Sequence, residues 1–280
     1  MLAQWERRFP ADRELVAVLS DRSLVAGLVG GTLLLVGLGM RLAAQVAAFV
    51  EPGETASLEL AGIILEASTW GRGWEWQLGA AVITSAGFLT ALRYRVWGWV
   101  VAGVGGTLMA VVAPFTGHAM SEAAGSGGIV FDAARLLGGG AWIGTLALVA
   151  WSGFPVLRKL EPPTRETMVI RLITGFSPVA IVGASLATIA GSVMSWHYLG
   201  GSLSNLVTTG YGRALSLKLS VVAVVALIGA YNWRILTPKL GTPEGSTRIQ
   251  TSARRELLVT ILLLALTAVL VGLPMPAEAQ

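Results

Sequence analysis

The sequence contains no cysteine. Disulfides, thiolate metal sites and thiol chemistry are thereby excluded, and the compartment is left open. Charge is scarce too: Asp, Glu, Lys and Arg supply 13% of residues, against about 25% in soluble domains. No polar segment is long enough to fold as a separate domain. Histidine occurs only twice, at His118 and His197. There is no Walker loop, dinucleotide fingerprint, HExxH or nucleophile elbow, so nothing argues for hydrolysis or nucleotide binding, and the chain reads as a non-enzyme.

What fills the space is apolar. Hydrophobic residues make up 54% of the 280, and there are 35 glycines. An all-α, polytopic membrane bundle is expected, forming a single membrane domain over residues 1–280. A span needs about 20 mostly apolar residues, and seven segments qualify or nearly do: 24–48, 75–92, 97–113, 129–151, 170–196, 213–233 and 256–273. Residues 1–23 read as a solvated cytoplasmic leader, and no cleavable signal peptide is apparent.

The few charges then set the topology. Arg7, Arg8, Arg13 and Arg22 precede span one, and Arg93 and Arg95 join spans two and three. Arg158, Lys159, Arg165 and Arg171 fall between four and five; Arg234, Lys239, Arg248, Arg254 and Arg255 between six and seven. Fifteen of the 20 basic residues thus fall on one side, and the opposite connections hold Arg72 and Arg213. Cytoplasmic loops collect Lys and Arg, which predicts N-in and C-out. The formal charge of +4 is on this reading a topology signal and not a sign of nucleic-acid binding.

Two stretches resemble one another. Trp70-Gly71-Arg72 aligns with Tyr211-Gly212-Arg213 at an offset of 141, about half of the 280 residues. With Pro114 closing span three and Pro274 closing span seven, residues 24–113 and 170–273 read as parallel repeats, and span 129–151 is unpaired. An aromatic anchors each turn at the interface, and glycine permits it. The glycine clusters Gly30-Gly31, Gly105-Gly106 and Gly138-Gly139-Gly140 suit close helix packing.

Both histidines fall near the predicted outer face, and methionines accompany them: Met120 beside His118, Met194 beside His197, and Met275 after span seven. Met194 and His197 are three residues apart and so share a helix face. Imidazole and thioether are the donors that suit Cu(I) where thiolate is missing. Two histidines on one side equally suit axial ligation of a b-type haem, and methionine in a span is often apolar filler. Four charges lie within spans: Arg41, Asp132, Arg135 and Lys218. Arg41 and Lys218 read as snorkelling to the interface. Asp132 and Arg135, three apart, can pair on span four, and Asp132 could fix an imidazole tautomer behind the metal.

TGHA (116–119), WIG (142–144), TTGYGRALSLKL (208–219), YNWRILTPKL (231–240), RREL (254–257) and VGLPMP (271–276) together resemble the copper resistance protein D (CopD) family. The likeness runs from about Arg41 to the C-terminus. It implies a multi-pass inner-membrane protein that handles copper at His118, with a copper ion or a periplasmic copper carrier as partner. Two departures stand out. The family commonly has eight spans, and it often carries a histidine where this chain has Arg135, which cannot ligate copper and repels it. An accessory subunit of a larger membrane complex is the alternative that these departures suggest.

Overall fold

The computed structural model describes residues 13–50, 55–117, 127–271 and 273. Those residues are mostly helical, with no strand among them. The order is α1 (Arg13–Ala48), α2 (Leu58–Ala67), α3 (Thr69–Ala91), α4 (Arg95–Val112), α5 (Gly128–Leu148), α6 (Phe154–Leu157), α7 (Pro162–Tyr198), α8 (Asn205–Thr208), α9 (Gly210–Tyr231) and α10 (Pro243–Val271). A 3-10 turn over Ala113–Thr116 extends α4. A π-helical turn over Val149–Gly153 joins α5 to α6, and another over Asn232–Leu236 extends α9.

Among the described residues, five helical stretches are long and apolar enough to cross a membrane: Val16–Ala48, Arg95–Thr116, Gly128–Leu157, Pro162–Tyr198 and Gly210–Lys239. Helices α3 and α10 are long as well, at 23 and 29 residues, but they carry charge in their first turns. Several helices run past the expected spans. Helix α1 begins at Arg13, not near residue 24. Val16 and Leu19 are buried with Leu146, Phe154, Val169 and Ile249, so the helix joins this core before residue 24. Helix α10 likewise begins at Pro243, well before 256, because Ile249 and Ala253 enter the same core. Arg248, Arg254 and Arg255 therefore lie on a helix and not in a loop.

The chain divides into two compact units, Leu24–Ala134 and Met1–Ser23 with Arg135–Gln280. Within the first, α3 and α4 meet through small residues: a Cβ on Gly87 would fall 2.6 Å from Ala102 Cα, and one on Gly105 2.8 Å from Thr84 Cα. Within the second, Gly138 of α5 and Gly183 of α7 face each other, each leaving no room for a Cβ against the other's carbonyl. Of the predicted clusters, Gly105 and Gly138 make such an approach, Gly31 lies close only to the Ser85 hydroxyl, and Gly30, Gly106, Gly139 and Gly140 have open space. Without a hydrophobic drive between helices in lipid, close backbone contact is what holds them together.

The repeated turn has a repeated geometry. Ser68 caps α3, its Oγ accepting from Gly71 N at 2.8 Å and donating to Ile64 O at 2.6 Å. At the offset of 141 residues, Thr209 caps α9, accepting from Gly212 N at 2.9 Å and donating to Asn205 O at 2.7 Å. A hydroxyl cap satisfies amides that lack a partner inside the helix. The glycine has a separate cause. A Cβ on Gly71 would strike the backbone of α2 at Ile64 and Leu65, and one on Gly212 the backbone of α8 at Asn205 and Leu206. Both positions require glycine for the same reason.

Gly212→Ala is expected to destabilise the protein by about 1–3 kcal/mol, the usual cost of forcing extra volume into a packed site, and Gly71→Ala similarly. Gly79→Ala, on α3 with nothing within 4 Å, should be neutral or slightly stabilising. Thermal unfolding in detergent, followed by tryptophan fluorescence, checks the order. Equal melting temperatures for all three would show that the short helices move aside freely.

Candidate functional site

The soft donors lie at the end of α7. This helix starts cleanly, because Glu161 before Pro162 is extended (ψ 149), as a residue preceding proline is pushed to be. It ends in a glycine pair with positive φ, Gly200 at 64° and Gly201 at 70°. Gly200 N donates to His197 O at 2.9 Å and Gly201 N to Trp196 O at 3.1 Å. That is the paired closure that glycine makes possible at a helix C-terminus. Asn205 Nδ2 adds a bond to Leu199 O at 2.9 Å and pins the following segment.

His197 therefore sits in the last turn, exposed, with Nδ1 2.8 Å from Val193 O. A carbonyl can only accept, so Nδ1 carries the proton and Nε2 keeps its lone pair. Met194, one turn back, is buried at 5% exposure. The two share a sector of the helix, yet the methionine turns inward and the histidine outward. Asp132 was the expected tautomer-fixing acceptor. At His197 the Val193 carbonyl fills that role.

Asp132 is buried near the start of α5, and Arg135 follows one turn later, half-buried. A Cβ on Gly191 would lie 3.6 Å from Arg135 Cδ, so the arginine stem crosses α7 one turn before Met194. His118, Met120 and Met275 lie outside the described residues, so the two histidines are not placed against each other. Among the described residues no three His, Asp or Glu side chains gather as a metal site.

Two polar clusters were not foreseen as such. In the first unit Arg41, expected to snorkel, instead points inward. Its Nη1 donates to Gln77 Oε1 at 2.9 Å and its Nη2 to Thr116 O at 2.8 Å. Gln77 Nε2 donates to Thr116 Oγ1 at 2.6 Å, and the guanidinium lies 5.8 Å from the Trp70 ring centroid. Gln77 is fully buried. The cluster fixes Thr116, the first residue of the TGHA motif, two residues before His118. In the second unit Asn232 Nδ2 donates to Glu256 Oε2 at 3.1 Å, and Ser252 Oγ donates to Asn232 Oδ1. Trp142 also hydrogen-bonds Glu256. Three motifs, WIG, YNWRILTPKL and RREL, thus meet at one carboxylate.

Residues 170–270 match the family model of copper resistance protein D. Over that segment the chain is similar to the family. The matched segment contains α9 with its cap, the π-helical turn at Asn232 and Glu256. The copper transport protein CutJ of Bacillus subtilis (strain 168) is 27% identical over 164 residues, 59% of this chain. The chain spans 28% of that relative's length. No solved structure matches. With its long apolar helices and its likeness to that family, the chain is a multi-pass inner-membrane protein.

Replacing Gln77 with Leu keeps the volume but removes the acceptor of Arg41 Nη1 and the amide that Thr116 Oγ1 accepts from, leaving Arg41 its bond to Thr116 O and Thr116 Oγ1 its bond to Ala113 O. An unmade hydrogen bond to a buried polar group costs about 1–3 kcal/mol, more where a charge is involved. Gln77→Leu should therefore lower the melting temperature clearly. Thr32→Val, which removes only an exposed bond to Leu28 O, should not. A Gln77→Leu protein as stable as wild type would mean that Arg41 finds water instead.

Proposed function

We propose that the chain binds Cu(I) at the outer membrane face and passes it on by ligand exchange, without covalent chemistry. His197 and Met194 supply donors from α7, and His118 and Met120 supply them from the segment after α4. The observation that carries this reading is the His197 Nδ1 bond to Val193 O, which holds the ring with Nε2 available as a ligand. A backbone carbonyl behind a ligating imidazole sets its tautomer and raises its basicity. Thioether beside imidazole is a donor set that suits Cu(I) over harder ions. The CopD match and the name of the Bacillus relative support copper as the cargo. A soluble copper carrier on the outer side is the natural exchange partner.

Arg135 bears on how tightly such a site holds its ion. Neutral ligands leave Cu(I) with its positive charge, and the guanidinium stem lies one turn from Met194. The site is accordingly built for moderate affinity, which suits an ion that must leave again.

Copper affinity should fall roughly tenfold or more, about 1.4 kcal/mol, in His118→Ala and in His197→Ala. Met194→Leu should cost less, because volume is kept and one of several soft donors goes. Competition titration with a Cu(I) chelator measures all three. Wild-type affinity in both histidine variants would remove the site, and a Soret band on the purified protein would turn the reading to haem.

We further take α1, α3, α4, α5 with α6, α7, α9 and α10 as seven spans, N-in and C-out. The distribution of basic residues supports this. The lack of native cysteine makes the measurement direct. In intact cells Ser126→Cys should react with an impermeant maleimide and Glu244→Cys should not. Labelling of both or neither would overturn the span count.

A further inference from the structure

The Glu256 cluster borders a cavity of about 240 Å3 within the second unit. Its walls are apolar and aromatic, with Trp142, Phe176, Val225 and Trp233 among them, and Asn232 and Glu256 supply polar groups. Its lining includes residues of two π-helical turns, Val149 of one and Asn232 and Trp233 of the other. Such turns interrupt the helical ladder and recur at functional sites. Glu256 is 7% exposed.

The donor chemistry narrows what can enter. No histidine or methionine lines the cavity, and a carboxylate with an amide is a poor match for a soft ion. The cavity is therefore separate from the copper reading. A lipid acyl chain would satisfy the walls but gives no role to a buried carboxylate. That group accepts from Asn232 and Trp142, both neutral, and two carboxylate oxygens have room for about four bonds. A buried acid in a membrane helix is costly and marks a site by default. An ionised carboxylate wants positive charge, and aromatic faces attract the same charge through their quadrupoles.

We propose that this cavity binds a lipophilic monovalent organic cation, with its charged end at Glu256 and its apolar body against Trp142, Phe176 and Trp233. Ala226 lines the cavity and is also exposed on the outer surface of α9. It marks a side entrance through which a membrane-dissolved cation arrives.

The test uses radiolabelled benzyltrimethylammonium and the full chain in phosphatidylcholine nanodiscs, with empty nanodiscs as blank. Saturable binding to the wild type is expected, weakened tenfold or more in Glu256→Gln and lost in Ala226→Trp, which fills the entrance without touching the carboxylate. Neopentylbenzene has the same shape without the charge and should not displace the cation at equal concentration. Cu(I) affinity should be unchanged in both variants, which separates this site from the copper reading. Absence of saturable binding, displacement by the neutral isostere, or full affinity in Glu256→Gln would each overturn the proposal. Should Glu256→Gln fail to give a monodisperse protein, Ala226→Trp and the isostere competition decide it.

Discussion

An amide at the start of a membrane helix has no intrahelical partner and little water to turn to. In this chain three long helices meet that constraint in one way. Ser68, Thr209 and Thr242 each accept from the amide of a glycine three residues on, at 2.8, 2.9 and 3.0 Å. The glycine in each case lies against the backbone just before the cap: Ile64 and Leu65, Asn205 and Leu206, or Lys239. Cap and contact are coupled, because the hydroxyl reaches its amide only when the chain folds back tightly, and the tight fold admits no Cβ. The entry of α3, α9 and α10 into their units follows from this arrangement.

The same shortage of water explains why the interior polar groups come in clusters. Arg41, Gln77 and Thr116 bond to one another, and Asn232 joins Ser252 to Glu256, whose carboxylate keeps room for further bonds. In a low-dielectric interior such bonds are strong. Each cluster therefore ties together helices that apolar contact alone would leave free to slide. The first fastens α1 and α3 to the turn after α4. The second fastens the end of α9 to α10.

How much of this was legible varies with sequence distance. The long helices were visible as apolar runs. Their starts were not, since the charged residues of 13–23 and 243–255 read as loop. Helical turns continue there because Val16, Leu19, Ile249 and Ala253 find a shared core, and tertiary packing outweighs local polarity. The kinship of Trp70-Gly71-Arg72 and Tyr211-Gly212-Arg213 was legible as a motif. The cap residue that gives it meaning lies two or three positions earlier and had gone unremarked. Met194 and His197 were found because they are close neighbours on one helix. Arg41 with Thr116, and Asn232 with Glu256, were not: their partners lie 75 and 24 residues apart. Glu256 hid at the edge of an expected span, where a charge draws no notice. Finding it in mid-helix makes it conspicuous.

Helix α7 shows how the two kinds of chemistry are kept apart. Its middle, from Ile173 to Thr188, walls the apolar cavity that holds the Glu256 carboxylate. Its final turns carry Met194 and His197. At 1.5 Å per residue, the six residues from Thr188 to Met194 put about 9 Å of helix between the two regions. Arg135, beside Gly191, lies between them along the helix. On the two proposals made above, the sites would be separate regions of one helix.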